Sequence, residues 1–303
     1  MSTTTRDERP DSCPDDGAEP GAGLSVWRDG REVVRLNAGW ADAGRNRPWR
    51  ADALVMPYSL SKTFVTLAAL VAVREGAVAL DEPVATYWKA YGNHGKESTT
   101  LRQILTHRAG RPRFPAEAAD LDLLDDTGLR DSLARTAPEY VPGTSLGEHA
   151  LTCGHLVDGI LRAAAGTTLG AMFNDVVRPA LGRWTASPTS STRTPTGPSA
   201  CPPRPGCGSP AVPWTRSGPS PGPLLTSQVT GHDEVFGTRI TWTLGLIRDK
   251  GKIAKGGIGD SAAWWSLRHG HACAYLTRRL DDHARAAQIA TALGDDLTVV
   301  GVD

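Results

Sequence analysis

Tyr58-Ser59-Leu60-Ser61-Lys62-Thr63-Phe64 opens an apolar run, and the reading of these seven residues decides the rest of the chain. Residues 64–73 read as a buried helix, stopped by Gly76. Positions three apart share a helix face, so the Lys62 amine can reach the Ser59 hydroxyl. A serine hydroxyl is a weak nucleophile until a neighbour takes its proton. A lysine in a dry pocket loses much of its preference for charge and can do so. The plainer reading is an N-cap serine beside a solvated lysine. Against it, the chain has six lysines and this is its one Ser-x-x-Lys.

The 303 residues carry 33 basic and 33 acidic side chains. A balanced charge favours neither nucleic acid nor an anionic membrane as partner. No apolar stretch reaches transmembrane length. The first twenty residues are polar, acidic and proline-bearing, unlike a secretory leader, so residues 1–23 are expected to be a disordered tail and the chain to stay in the cytoplasm. Cys13, Cys153, Cys201, Cys207 and Cys273 are odd in number and scattered. They suggest no disulfide framework, and Cys201 and Cys207 lack the partner ligands a zinc requires. No metal and no cofactor is expected, and the oligomeric state is not legible.

Leu24–Gly30 and Glu32–Gly39 read as a hairpin around the Asp29-Gly30 turn signal. Helical patterns follow at 64–73, 99–110 (capped by Thr99 or Thr100), 120–136, 151–165 and 169–181. Residues 239–247, 262–266 and 272–277 read as strands, and 281–293 as a closing helix. Strands at both ends with helices between them imply an α+β fold. Its antiparallel sheet is built from N- and C-terminal strands with an inserted helical region. Residues 24–303 are read as one domain.

Residues 183–223 interrupt that pattern. Eleven of the chain's 22 prolines fall there, without one acidic residue. Such composition supports no packed helix or strand. Two readings stay open: a disordered linker or flap, or a folded stretch replaced by out-of-frame sequence through compensating frameshifts.

With its flanks, Ser59-Leu60-Ser61-Lys62 resembles the nucleophile motif of the β-lactamase-related serine hydrolases, specifically the class C β-lactamase and family VIII carboxylesterase group. Leu101–Gly110, with His107, is similar to a structural element of that group. A histidine in such a turn more often caps carbonyls or fills a core than acts as a base. Pro142–Gly154 resembles the second motif, except that Glu148 stands where the group has a tyrosine. Tyr140 precedes the Pro-Gly turn and should not substitute for it. Lys255-Gly256-Gly257-Ile258-Gly259 resembles the third motif, a strand walling the pocket. By this resemblance the N–H groups of Ser59 and Ile258 form an oxyanion hole, and Lys255 either holds a substrate carboxylate or tunes Ser59 and Lys62. Gly147-Glu148-His149-Ala150 is nearest to the esterase-like branch, implying small ester or acyl substrates.

The resemblance implies a β-lactamase-like fold and a hydrolase acting through an acyl-enzyme on Ser59, cleaving esters and by extension amides or β-lactams. Glu148 is the departure. A phenol can donate, whereas an ionised carboxylate only accepts. Beside Lys62 it is expected to hold the amine as ammonium and raise its pKa. Glu148 then either relays the proton through a water or cripples the site. The alternative function is a catalytically impaired relative serving as a binding or scaffold module.

Overall fold

The structure, a computed structural model, describes residues 4–7, 20–181, 222–280 and 282–296. Among the described residues nine strands form one sheet: β1 (Thr4–Asp7), β2 (Gly21–Arg28), β3 (Arg31–Gly39), β4 (Val229–Asp233), β5 (Thr238–Trp242), β6 (Ile247–Asp249), β7 (Lys252–Gly256), β8 (Ala262–Ser266) and β9 (His271–Thr277). Their order is β1-β3-β2-β9-β8-β7-β6-β5-β4. The β2–β3 hairpin turns at Asp29 and Gly30, with φ of 52° and 72°, the paired positive angles that a tight hairpin of matching twist requires. β2 pairs antiparallel with β9, so the two ends of the chain do build one sheet, as the sequence predicted.

The helices are α1 (Lys62–Arg74), α2 (Leu101–Leu105), α3 (Asp126–Arg135), α4 (Thr152–Ala165), α5 (Leu169–Met172), α6 (Arg178–Leu181), α7 (Gly222–Leu225) and α8 (Ala284–Ala292). Residues Phe173–Val177 continue α5 into α6 as a π-helical stretch. α1 and α4 share the main core. The small buried residues Ala68, Ala69 and Ala72 on α1 admit Leu156, Ile160 and Leu161 of α4. A second core lies where Trp264, Cys273 and Tyr275 meet Ala286 and Ala290 of α8. Among the described residues, no helix is long and apolar enough to cross a membrane.

Several expectations need correction. Of the tail expected to be disordered over 1–23, Thr4–Asp7 add to β3 in parallel, and Gly21 already opens β2. An unpaired strand edge recruits extended chain in this way. The helix expected over 99–110 spans only Leu101–Leu105, capped by a Thr100–Gln103 capping box, because His107 turns left-handed at φ 59°. The helix expected from 120 starts at Asp126, where the Asp125 side chain accepts from the Gly128 N–H. The single strand expected over 239–247 is two, β5 and β6, broken at Gly245 (φ 75°). The Pro-rich segment at 183–223 lies outside the described residues apart from its last two, which open α7.

Candidate active site

Ser59 is not in α1 but in the 3₁₀ turn Tyr58–Ser61 that leads into it, and Lys62 is the first α-helical residue. A 3₁₀ turn nearly eclipses side chains three apart, which brings the pair together: the Lys62 Nζ donates to the Ser59 Oγ at 2.7 Å. Tyr58 enters the turn at φ 46°, a conformation uncommon for a bulky residue and worth about 1–3 kcal/mol of strain. The turn is seated against the β7–β8 connection. A Cβ on Gly257 would lie 2.6 Å from the Pro57 carbonyl oxygen, so only glycine permits this approach.

Glu148 reaches the same pocket from the strap that precedes α4. Its N–H donates to Asp233 Oδ1 at 3.1 Å, while the N–H groups of Gly147 and His149 donate to the carbonyl and Nδ1 of His107. Asp233 also accepts from the N–H groups of Val235 and Phe236 and from Trp242 Nε1. Pinned at both flanks, the carboxylate projects between two amines, 2.6 Å from Lys255 Nζ and 3.6 Å from Lys62 Nζ. All three side chains are buried, and the Lys255 ammonium also lies 4.8 Å above the Trp242 ring.

Burial sets the electrostatics. It pulls the Lys62 amine below its ordinary pKa, helped by the Lys255 charge, and Glu148 opposes without prevailing. Glu148 does push the Lys62 pKa upward, as expected, but it does not hold the amine at or above its ordinary value, because desolvation outweighs the carboxylate. For Glu148 itself, burial pushes upward, but the ammoniums of Lys255 and Lys62 prevail and hold it below the usual carboxylate range. His107 is driven far below its ordinary value by burial and then by Lys255, so it stays neutral. Its Nδ1 accepts from the His149 N–H, which leaves the proton on Nε2. It supports the strap rather than serving as a base. Burial pushes the Cys153 thiol up to about 11, so it stays protonated beside the amines.

The expected third-motif residues divide between two places. Lys255 and Gly256 lie in β7, while Gly257 and Ile258 lie in the connection to β8. The Gly257 N–H donates to the Ser261 carbonyl at 2.9 Å, and its carbonyl accepts from His283 Nε2 at 2.9 Å. Ile258 follows with its side chain exposed. Tyr140 does not replace the missing phenol, since its hydroxyl packs by Gly147 and donates to the His107 carbonyl at 3.5 Å. Asp233 and Trp242, which fix Glu148 and Lys255, were missed from sequence; an acid ending one strand and a tryptophan ending the next carry no local signal.

The site brings an alcohol, an amine of lowered pKa and a buried counter-charged lysine into one pocket. The model of the Beta-lactamase family matches residues 7–222. The chain is similar to the esterase/beta-lactamase LipL of Mycobacterium tuberculosis, 35% identical over 155 residues, which is 51% of this chain and 36% of LipL. It is also similar to esterase EstB of Burkholderia gladioli, 28% identical over 179 residues, covering 54% of this chain and 45% of EstB. The matches thus span less than half the length of either relative. Among solved structures, a family VIII carboxylesterase superposes with a TM-score of 0.68 at 23% identity over 88% of each chain, a likeness of fold.

Proposed function

The chain belongs to the Beta-lactamase family, and on that premise we propose that it is a serine hydrolase cleaving ester bonds through an acyl-enzyme on Ser59. The observation that carries this reading is the 2.7 Å contact between Lys62 Nζ and Ser59 Oγ, with the amine buried and its pKa lowered. In its neutral form Lys62 takes the hydroxyl proton as Ser59 Oγ bonds to the ester carbon. The N–H groups of Ser59 and Ile258 hold the oxyanion, each such donor being worth ~2.7–4 kcal/mol. The intermediate collapses, the ester C–O bond breaks, and the Lys62 ammonium protonates the departing oxygen. A water then loses its proton to Lys62 and attacks the acyl carbon, and Ser59 Oγ leaves with that proton.

Glu148 acts here as the fixed partner of Lys255 and an acceptor beside Lys62. Because Lys255 is already neutralised by Glu148 at 2.6 Å, tuning of the pocket is favoured over capture of a substrate carboxylate. This supports uncharged esters over carboxylate-bearing β-lactams, as does the name of EstB, whereas LipL is named for both activities. The test is hydrolysis of p-nitrophenyl butyrate. The purified protein should release p-nitrophenol with a burst that Ser59→Ala abolishes; turnover unaffected by that substitution rejects the assignment.

A further inference from the structure

At the other end of the β7–β8 ladder, Ser266 pairs with Lys252, three positions removed from the Lys255 pair. There His269, in the turn of the β8–β9 hairpin, and His271, the first residue of β9, meet Asp295 just beyond α8. His269 Nδ1 lies 3.1 Å from Asp295 Oδ1 and His271 Nε2 lies 2.8 Å from Asp295 Oδ2. The donor atoms of all three residues fall within 4.8 Å of one another. We propose that His269, His271 and Asp295 bind a divalent transition metal ion, Zn²⁺ fitting best, separately from the hydrolytic site.

Two imidazoles and one carboxylate form a ligand set that zinc accepts, with bonds of about 2.0–2.1 Å. Tetrahedral ligands on such an ion stand about 3.3 Å apart, so the His–Asp pairs part by a few tenths of an ångström while the widest-set donor atoms, within 4.8 Å of one another, draw in. Each imidazole would offer its lone pair and carry its proton on the other nitrogen. The carboxylate is already oriented by donors that a metal would not displace: Trp264 Nε1 on Oδ2 at 2.8 Å and Ser266 Oγ on Oδ1 at 2.7 Å. Such outer hydrogen bonds typically accompany ligating carboxylates. The two rings lie within 8° of parallel. Asp295 and His271 are 3% exposed and His269 is 31% exposed, which provides a dry floor and an entry path. The nearby amines do not compete for Asp295, since Lys250 pairs with the Asp296 carboxylate and Lys252 donates to the Asp296 carbonyl. Three protein ligands leave a fourth position for water. The ion would fasten the hairpin tip to the end of α8.

The full chain, stripped of metal by chelator and dialysed, is titrated with Co²⁺ alone, and its thermal melt is recorded with and without Zn²⁺. The expected result is one Co²⁺ per chain with the visible absorption of a tetrahedral site, and a Tm that rises with Zn²⁺ concentration by mass action. His269→Gln and His271→Gln should each abolish both signals, and Trp264→Phe should weaken binding ~10–100-fold. The partly exposed His269 keeps the test valid if the His271 variant does not fold. A Cys13→Ser/Cys201→Ser/Cys207→Ser chain should bind as tightly as the parent. Absence of saturable binding, or binding that survives both histidine substitutions, overturns the proposal.

Discussion

The buried carboxylate of Glu148 decides how Lys62 titrates. Burial lowers the Lys62 pKa and Glu148 partly restores it, so the rate should rise with pH as the amine loses its proton, with a midpoint below 10.5. Removing the negative charge in Glu148→Gln leaves two ammoniums facing each other, and the Lys62 pKa falls further. The low-pH limb of the kcat/KM profile should therefore move to lower pH, while the melt records ~3–5 kcal/mol of lost stability from the broken buried pair. A limb that stays in place or moves upward would remove Lys62 from the role of base. At this scale the sequence was informative where chemistry is local: Ser59 and Lys62 meet because they are three apart. Glu148 and Lys255 are 107 positions apart. Resemblance to family motifs suggested both, and neither periodicity nor composition could have paired them.

Elements carry the site through a close approach of backbone. Gly257 lets the β7–β8 connection run against the nucleophile turn, and its Cβ in Gly257→Ala would meet the Pro57 oxygen at 2.6 Å. Displacing Ser59 by about 1 Å should cost ~10²-fold in kcat, with a much smaller change in Tm. An unchanged kcat would show that this connection does not position the turn. In the core, Leu156→Ala should cost ~2–5 kcal/mol by chemical denaturation, because Leu156 is fully buried between helices. A loss under 1 kcal/mol would mean that the α1–α4 packing is not as described. Helix existence was legible from periodicity and Gly stops. What escaped was the break at Gly245, whose φ of 75° and approach to Thr66 end β5. The short strand β4 escaped altogether, β6 was touched only at Ile247 by the expected strand, and β7 was suggested by family resemblance rather than announced by alternation.

Across the whole molecule, the active pocket lies where the helical insertion meets the sheet, and its polar groups are tuned by burial. Their acid response has a definite sign. Burial lowers the His149 pKa to about 4: its Nδ1 pairs with the Gly147 carbonyl at 2.7 Å and its Nε2 accepts from the Arg111 N–H. The folded state therefore binds fewer protons than the unfolded chain between pH 6.5 and about 4, so stability falls as pH drops through that window, by on the order of 3 kcal/mol. Glu148, held below its ordinary value, adds stability that is present above pH 4.5 and lost as pH falls through its depressed pKa. Tm measured from pH 7 to 4 should drop accordingly, and His149→Gln should flatten the upper part of that drop; a flat wild-type profile would contradict the buried neutral imidazole. The α+β architecture was legible because both chain ends are strand-rich, whereas the parallel addition of β1 had no signal in a polar tail. The measurement that bears most directly on the central claim is the rate at which a fluorophosphonate labels the protein, followed by intact mass from pH 6 to 10. One adduct per chain on Ser59 is expected, forming faster as pH rises and ~10²–10⁴-fold slower in Lys62→Met. A mass that does not change, an adduct on another residue, or labelling indifferent to Lys62 would contradict it.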